Sequence, residues 1–192
     1  MSTPTVRVVC VVYHPGPELD GLARSLQAAG TGVELVIVDN GTDQSRSRAV
    51  ADQVGATLVV PGVNLGYGAA ANRGAAGATA PWLVVCNSDL VWQPGSLDAL
   101  VAAGQAQPRA GSLGPALLNP DGSVYPSARE LPSLTQGVGH AVLGRVWPGN
   151  PWTRAYHARQ ETAGDARAAG WLSGACLLLR RAAFEAVGGF DE

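Results

Sequence analysis

The chain has 192 residues, 46% of them hydrophobic, with 25 Gly and 13 Pro; it is long enough to bury one substantial core and too apolar to stay disordered. A formal net charge of -2 leaves no electrostatic footprint for nucleic acid. All 13 basic residues are Arg; Arg suits bidentate phosphate contacts, but a GC-rich bacterial coding bias is the simpler explanation of the pattern.

Val6–Val12 is a continuous β-branched run, the mark of a strand buried on both faces. Residues 18–29 carry Leu19, Leu22, Ala23 and Leu26 at helical spacing and stop at Gly30. A second buried strand, Val33–Val38, runs into Asp39-Asn40-Gly41. A polar, Arg-rich helix then leads to Gly55, followed by a strand over Ala56–Val60. After Pro61-Gly62 comes Asn64-Leu65-Gly66-Tyr67-Gly68 and an Ala-rich helix to about Gly77. The strand Trp82–Cys86 ends in Asn87-Ser88-Asp89, and Ser96 is placed to N-cap one more helix. This βαβαβαβ rhythm predicts a parallel sheet with right-handed crossovers. The loops after Val12, Val38, Val60 and Cys86 are then expected at one edge of it, where such sheets bind ligands.

The second half is less regular. Asn119-Pro120-Asp121-Gly122 between Leu117 and Val124 predicts a hairpin. Residues 125–169, rich in Pro, Gly and Arg, read as a surface excursion. Within them Leu134, Val138, Val142 and Val146 recur at helical spacing, which suits a helix packed on the sheet or a membrane-facing one with Arg145 and Trp147 at the interface. A strand is predicted over Trp171–Leu179, then a short helix from Arg181 to Gly188-Gly189. Division into a binding half, 1–118, and a second half, 119–192, within one domain is expected.

Cys10, Cys86 and Cys176 each sit in an apolar run. Their odd count and spacing fit neither a disulfide framework nor zinc, so they read as small core residues in a reducing compartment. Residues 1–7 lack the layout of a signal peptide, and no apolar stretch reaches the roughly 20 residues that span a bilayer. A cytoplasmic protein, peripheral to a membrane at most, is expected.

The candidate chemistry lies in the strand-end loops. Asp89, preceded by Asn87 and Ser88, offers a hard oxygen ligand to Mg2+ or Mn2+, and a turn or capping Asp is the plainer reading of the same spacing. Asp39 suits a ribose hydroxyl or base N–H, or alternatively an Asx-turn. Gly66 to Ala71 fits GxGxxA, which makes an NAD-dependent oxidoreductase a rival reading. Against it, the first glycine stands too far from its strand, and after the third strand rather than in the first βαβ unit. His14, His140 and His157 are scattered without ligand spacing, and there is no GxSxG elbow.

Taken in order, residues 8–13, 36–41, 64–68 with Asn72, 87–89, 170–176 and 188–192 resemble the motifs of family 2 glycosyltransferases, closest to bacterial rhamnosyltransferases of cell-wall and polysaccharide assembly. The resemblance implies a GT-A-like α/β fold, a mainly parallel twisted sheet flanked by helices. It implies a dTDP- or UDP-sugar donor, dTDP-rhamnose above all, and inverting transfer to a lipid-linked or polysaccharide acceptor. Tyr13 and Asp39 would hold the nucleoside, with Asn64, Gly66, Asn72 and Ser88 lining the nucleotide-sugar pocket. Asp89 would bind the metal, and Trp171, Ser173 and Gly174 would lie toward the acceptor. Asn87 replaces the first acid of the family's DxD-like motif. Family members carry their general base beyond the Phe-Asp-Glu segment, so a chain ending at Glu192 is expected to bind the donor without transferring it. Asp191 is a weak candidate for that base. A non-catalytic nucleotide-binding remnant is the remaining alternative.

Overall fold

The computed structural model describes residues 5–129 and 166–192. They fall into two compact units: the residues up to Leu113 together with Gly174–Glu192, and Gly114–Ser173.

The first unit is built on a six-stranded sheet. Its elements are β1 (Val6–Val12), α1 (Glu18–Ala29), β2 (Val33–Asp39), α2 (Ser45–Val54), β3 (Thr57–Val59), α3 (Tyr67–Ala75), β4 (Trp82–Cys86), α4 (Ser96–Ala106) and β5 (Ser112–Leu113). In the second unit follow β6 (Leu117–Leu118), β7 (Val124–Tyr125), β8 (Ala128–Arg129) and β9 (Trp171–Leu172), before β10 (Cys176–Arg180) and α5 (Arg181–Ala186) return to the first. The strand order is β3-β2-β1-β4-β10-β5. β3, β2, β1 and β4 are mutually parallel, and β10 runs antiparallel to both β4 and β5. The expected alternation of strand and helix is thus present, with an antiparallel return strand added beside β4.

The apolar runs explain the core. On one face of the sheet Val9, Val11, Val36, Val38, Leu83, Val85 and Leu179 pack with Ala70, Ala71 and Ala75 of α3. Each valine or leucine of this set taken from water contributes on the order of 1.5–3 kcal/mol. The alternate residues of β1, β4 and β10 face the other way. There Cys10, Cys86 and Cys176 stand in register across the three strands, all buried and all free thiols.

Several local expectations are corrected. Gly30 is extended (φ -173°) rather than a left-handed cap; a Cβ there would come within 2.7 Å of Asp98 Oδ1 and 3.2 Å of Leu97 Cβ, so glycine serves the close approach of α4. Ser96 is the first helical residue and not the cap, which is Gly95 at φ 71°; the Ser96 hydroxyl donates to the Gln93 carbonyl instead. The strand expected over Trp171–Leu179 is two strands in different units, because β9 pairs with β8 and β10 with β4. β10 and α5, read from sequence into the second half, complete the sheet of the first. The hairpin does form, with β6 antiparallel to β7 and Gly122 at φ 82°. The periodic segment 134–147, His140 and His157 lie outside the described residues.

Candidate functional site

The parallel register puts the ends of β1, β2, β3 and β4 at one edge: Val12 stands beside Asp39, Val38 beside Val59, and Cys10 beside Cys86. The loops that follow are tied to one another. The Asn40 backbone N–H donates to the Val12 carbonyl at 2.9 Å. The Asn40 side chain donates to the Gly66 carbonyl at 3.1 Å and accepts from the Leu65 N–H at 3.3 Å, which fixes the glycine loop against the β2 turn. Within that loop Asn64 Oδ1 accepts from the Gly66 N–H at 2.9 Å, with Gly66 at φ 78°. Asn40 was given no role from the sequence, where nothing separates it from an ordinary turn residue.

Asp39 is fully buried. Its Oδ1 accepts from the Gly41 N–H at 2.8 Å and its Oδ2 from the Ser47 hydroxyl at 2.5 Å. That is the Asx-turn geometry, extended by a bond that seats α2. These donors compensate a carboxylate that would otherwise be costly to bury. Tyr13, by contrast, is 60% exposed, its ring edge-on to His14 with centroids 4.3 Å apart. His14 holds φ 51°, a left-handed conformation uncommon outside glycine.

Asp89 is exposed and Ser88 half-buried, in the turn directly after β4. Among the described residues no hydrogen bond or ion pair engages the Asp89 carboxylate, and no cluster of three metal-ligating side chains forms. One carboxylate facing open space fits Mg2+ or Mn2+, ions that retain waters and take one or two protein carboxylates beside substrate phosphates.

Tyr67, in the quoted loop but given no role from sequence, braces this region. Its hydroxyl donates to the Gly174 carbonyl at 2.7 Å, and the Ala175 carbonyl next along accepts from the Asn87 N–H at 3.0 Å. Burial holds the Tyr67 phenol well above its ordinary pKa, and the nearby thiols and Asp89 push it the same way. Gly174 is therefore joined to the first turn of α3. Trp171 and Ser173 belong to the second unit, where the Ser173 N–H donates to the Ser127 carbonyl at 2.7 Å.

Asn72 does not present its amide to open space. Its Nδ2 donates to the Phe190 carbonyl at 2.8 Å and to Glu192 Oε1 at 3.0 Å, and its Oδ1 accepts from the Phe190 N–H at 2.8 Å. The residue expected to line the nucleotide pocket instead clasps the segment after α5.

A cleft of about 550 Å³ opens beside His14, lined by Pro15, Ala49 and Val50 with Asp20, Asp43, Ser45, Arg46 and Gln53. Asp20 and Arg46 form an ion pair at 2.8 Å. Asp43, bonded by the Ser45 hydroxyl and N–H, is held below its ordinary pKa. The cleft lies between the β1 loop, α1 and α2 and includes none of Asn64, Gly66, Ser88 or Asp89, so it is separate from the Asp89 loop.

Comparison with known proteins adds to this geometry. The model of glycosyl transferase family 2 matches residues 8–188. The N-acetylglucosaminyl-diphospho-decaprenol L-rhamnosyltransferase of Mycobacterium tuberculosis is 50% identical over 203 residues, covering 99% of this chain and 66% of the relative. The O-antigen biosynthesis protein RfbC of Myxococcus xanthus is 32% identical over 205 residues, 100% of this chain and 15% of that protein. The chain thus spans 66% of the length of its mycobacterial relative. Among solved structures, the mannosyltransferase PcManGT from Pyrobaculum calidifontis, in complex with GDP-Man and Mn2+, superposes with a TM-score of 0.63 at 20% identity, covering 99% of this chain and 48% of that one. The expected GT-A-like α/β architecture is the one observed.

Proposed function

The chain belongs to glycosyl transferase family 2, and from that premise we propose that it holds a dTDP- or UDP-sugar, dTDP-rhamnose in particular, at the carboxyl edge of its sheet, for inverting transfer to a polyprenyl-linked or polysaccharide acceptor. The observation that carries the reading is the exposed, unengaged Asp89 carboxylate at the end of β4, beside the loop that Asn40 staples in place. The mycobacterial relative is named for rhamnosyl transfer to a decaprenol-linked acceptor, and the archaeal neighbour is described with GDP-Man and Mn2+. The first supports rhamnosyl transfer and the polyprenyl-linked acceptor class, and the second a nucleotide-diphosphate sugar with a divalent ion.

In this reading Asp89 would hold Mn2+ or Mg2+ through its exposed carboxylate. The ion, when bound, neutralises charge on the departing diphosphate. Tyr13 offers an exposed ring for the base to stack on. Asn64 and Gly66 wall the nucleotide, and Ser88 offers a hydroxyl beside Asp89. Asp39 works indirectly, by fixing the turn from which Asn40 reaches the glycine loop. The NAD reading is not favoured: seven residues separate the end of β3 from α3, whereas a dinucleotide fingerprint puts its first glycine in the tight turn itself.

Isothermal titration tests the reading. Mn2+ is expected to strengthen dTDP or UDP binding, and Asp89→Ala to remove that enhancement in a folded protein. A metal effect that survives the substitution rules out Asp89 as the ligand.

A further inference from the structure

The segment Gly188–Glu192 is fitted to α3 by several independent features. Asn72 bonds both the N–H and the carbonyl of Phe190, and its amide also reaches Glu192 Oε1. Phe190 stacks edge-on with Phe184 at 5.5 Å, and both pack against the core under α3. At Gly68 a Cβ would lie 2.9 Å from the Asp191 carbonyl oxygen and 3.2 Å from Phe190 Cβ. Gly189, at φ 86°, would bring a Cβ to 2.6 Å from Asn72 Oδ1. Such a backbone conformation favours glycine, and the lack of space reinforces the choice. The helix and the segment therefore approach as closely as two backbones bearing these side chains can.

This seat lies beside the candidate site. Gly68 adjoins Tyr67, whose hydroxyl is bonded to Gly174, and Ala175 in turn is bonded to Asn87, two residues from Asp89. Tyr67, the first residue of α3, is thus linked through Gly174 and Ala175 to the strand end that leads to Asp89, and Asn72, further along the helix, holds the Phe190–Glu192 segment. Glu192 is exposed, with Oε1 held by Asn72. Among the described residues its second oxygen has no hydrogen-bond partner, and a sugar ring presents hydroxyl donors to such a group.

We propose that Asn72 is a positioning residue, which sets Glu192 at the rim of the site so that its carboxylate accepts a hydroxyl of the sugar carried on the nucleotide diphosphate. The assignment rests on the nucleotide-sugar reading above. Asn72 acts through Glu192 and need not touch the ligand, and removing it affects recognition of the sugar more than of the nucleotide.

The test compares, in the full chain with Mn2+, the affinities for dTDP and for dTDP-rhamnose, with UDP and UDP-glucose in parallel. Asn72→Ala and Glu192→Ala are each expected to lower sugar-nucleotide affinity by roughly tenfold, the loss typical of a hydrogen bond to a charged group, and to lower that of the bare diphosphates by less than about twofold. Glu192 is exposed, so its variant keeps the test valid if Asn72→Ala unfolds. Equal losses for diphosphate and sugar nucleotide, or no loss in Glu192→Ala, overturn the assignment. If the unaltered chain binds neither ligand class, the nucleotide-sugar reading fails first and this one with it.

Discussion

Asp39 and Asn40 are neighbours in one turn, yet their side chains do different work. Asp39 spends its carboxylate on the turn and on Ser47, and Asn40 reaches across to the glycine loop. The row of thiols shows a similar reliance on surroundings. Cys86 is held well above its ordinary value of 9.0 by a thiol hydrogen bond with Cys10 and by burial, and Cys176 by burial and the neighbouring Cys86. In the folded chain these thiols keep their protons at a pH where the unfolded chain loses them. Their contribution is therefore fully present below about pH 9 and falls as pH rises from there toward the folded values. Urea unfolding between about pH 7.5 and 10.5 is expected to show a steep loss of stability, shallower in Cys86→Ala even though that variant starts less stable by about 1 kcal/mol. Parallel pH profiles for the two proteins contradict this account.

Helix α3 couples the core to the site. Gly74 faces the sheet where a Cβ would meet Val9 Cγ1 and lie 2.8 Å from Val38 Cγ2. Gly74→Ala gains about 1 kcal/mol in helix propensity and meets an overpacking cost of roughly 1–3 kcal/mol. The β-branched valines cannot swing aside, so the cost prevails. A net loss of up to about 2 kcal/mol is expected by urea titration, with weaker dTDP binding because the first turn of α3 shifts; a stabilised variant indicates that the strands yield. What was legible in the sequence follows the same division. Buried runs such as Val6–Val12 and Trp82–Cys86 announced their strands, and Asp39 and Asp89 were singled out because acids at the ends of such runs stand out. The break between β9 and β10 was invisible, since Trp171–Leu179 is apolar almost throughout and only pairing partners divide it. Asn72 was noticed as part of a motif but its partner was not, because its bonds run to Phe190, 118 positions away.

Across the first unit the two edges of the sheet are used differently. At the amino edge Arg7 bonds the Ala76 carbonyl, Arg180 the Gly104 and Gln107 carbonyls, and Arg181 the Ala80 carbonyl. Arg180 also lies over Trp82, 4.5 Å from the ring centroid. These guanidinium groups close off chain ends where unpaired carbonyls accumulate, and two of them sit at helix C-termini, which favour cations. On the other side of the sheet Arg46 is paired with Asp20. These four arginines are thus engaged elsewhere, and the exposed Asp89 carboxylate at the carboxyl edge suits a divalent ion as the source of positive charge for a diphosphate. A ligand that binds only the folded chain, at 100 times its dissociation constant, stabilises it by about 2.7 kcal/mol. For a chain of this size that corresponds to a rise in Tm of roughly 5–10 °C. dTDP with Mn2+ is expected to give such a rise, and dTDP with a chelator a smaller one. In Asp89→Ala the two should coincide, and NADH should leave Tm unmoved. A rise with dTDP that is indifferent to Mn2+ in the unaltered chain would mean that the protein neutralises the diphosphate with its own side chains.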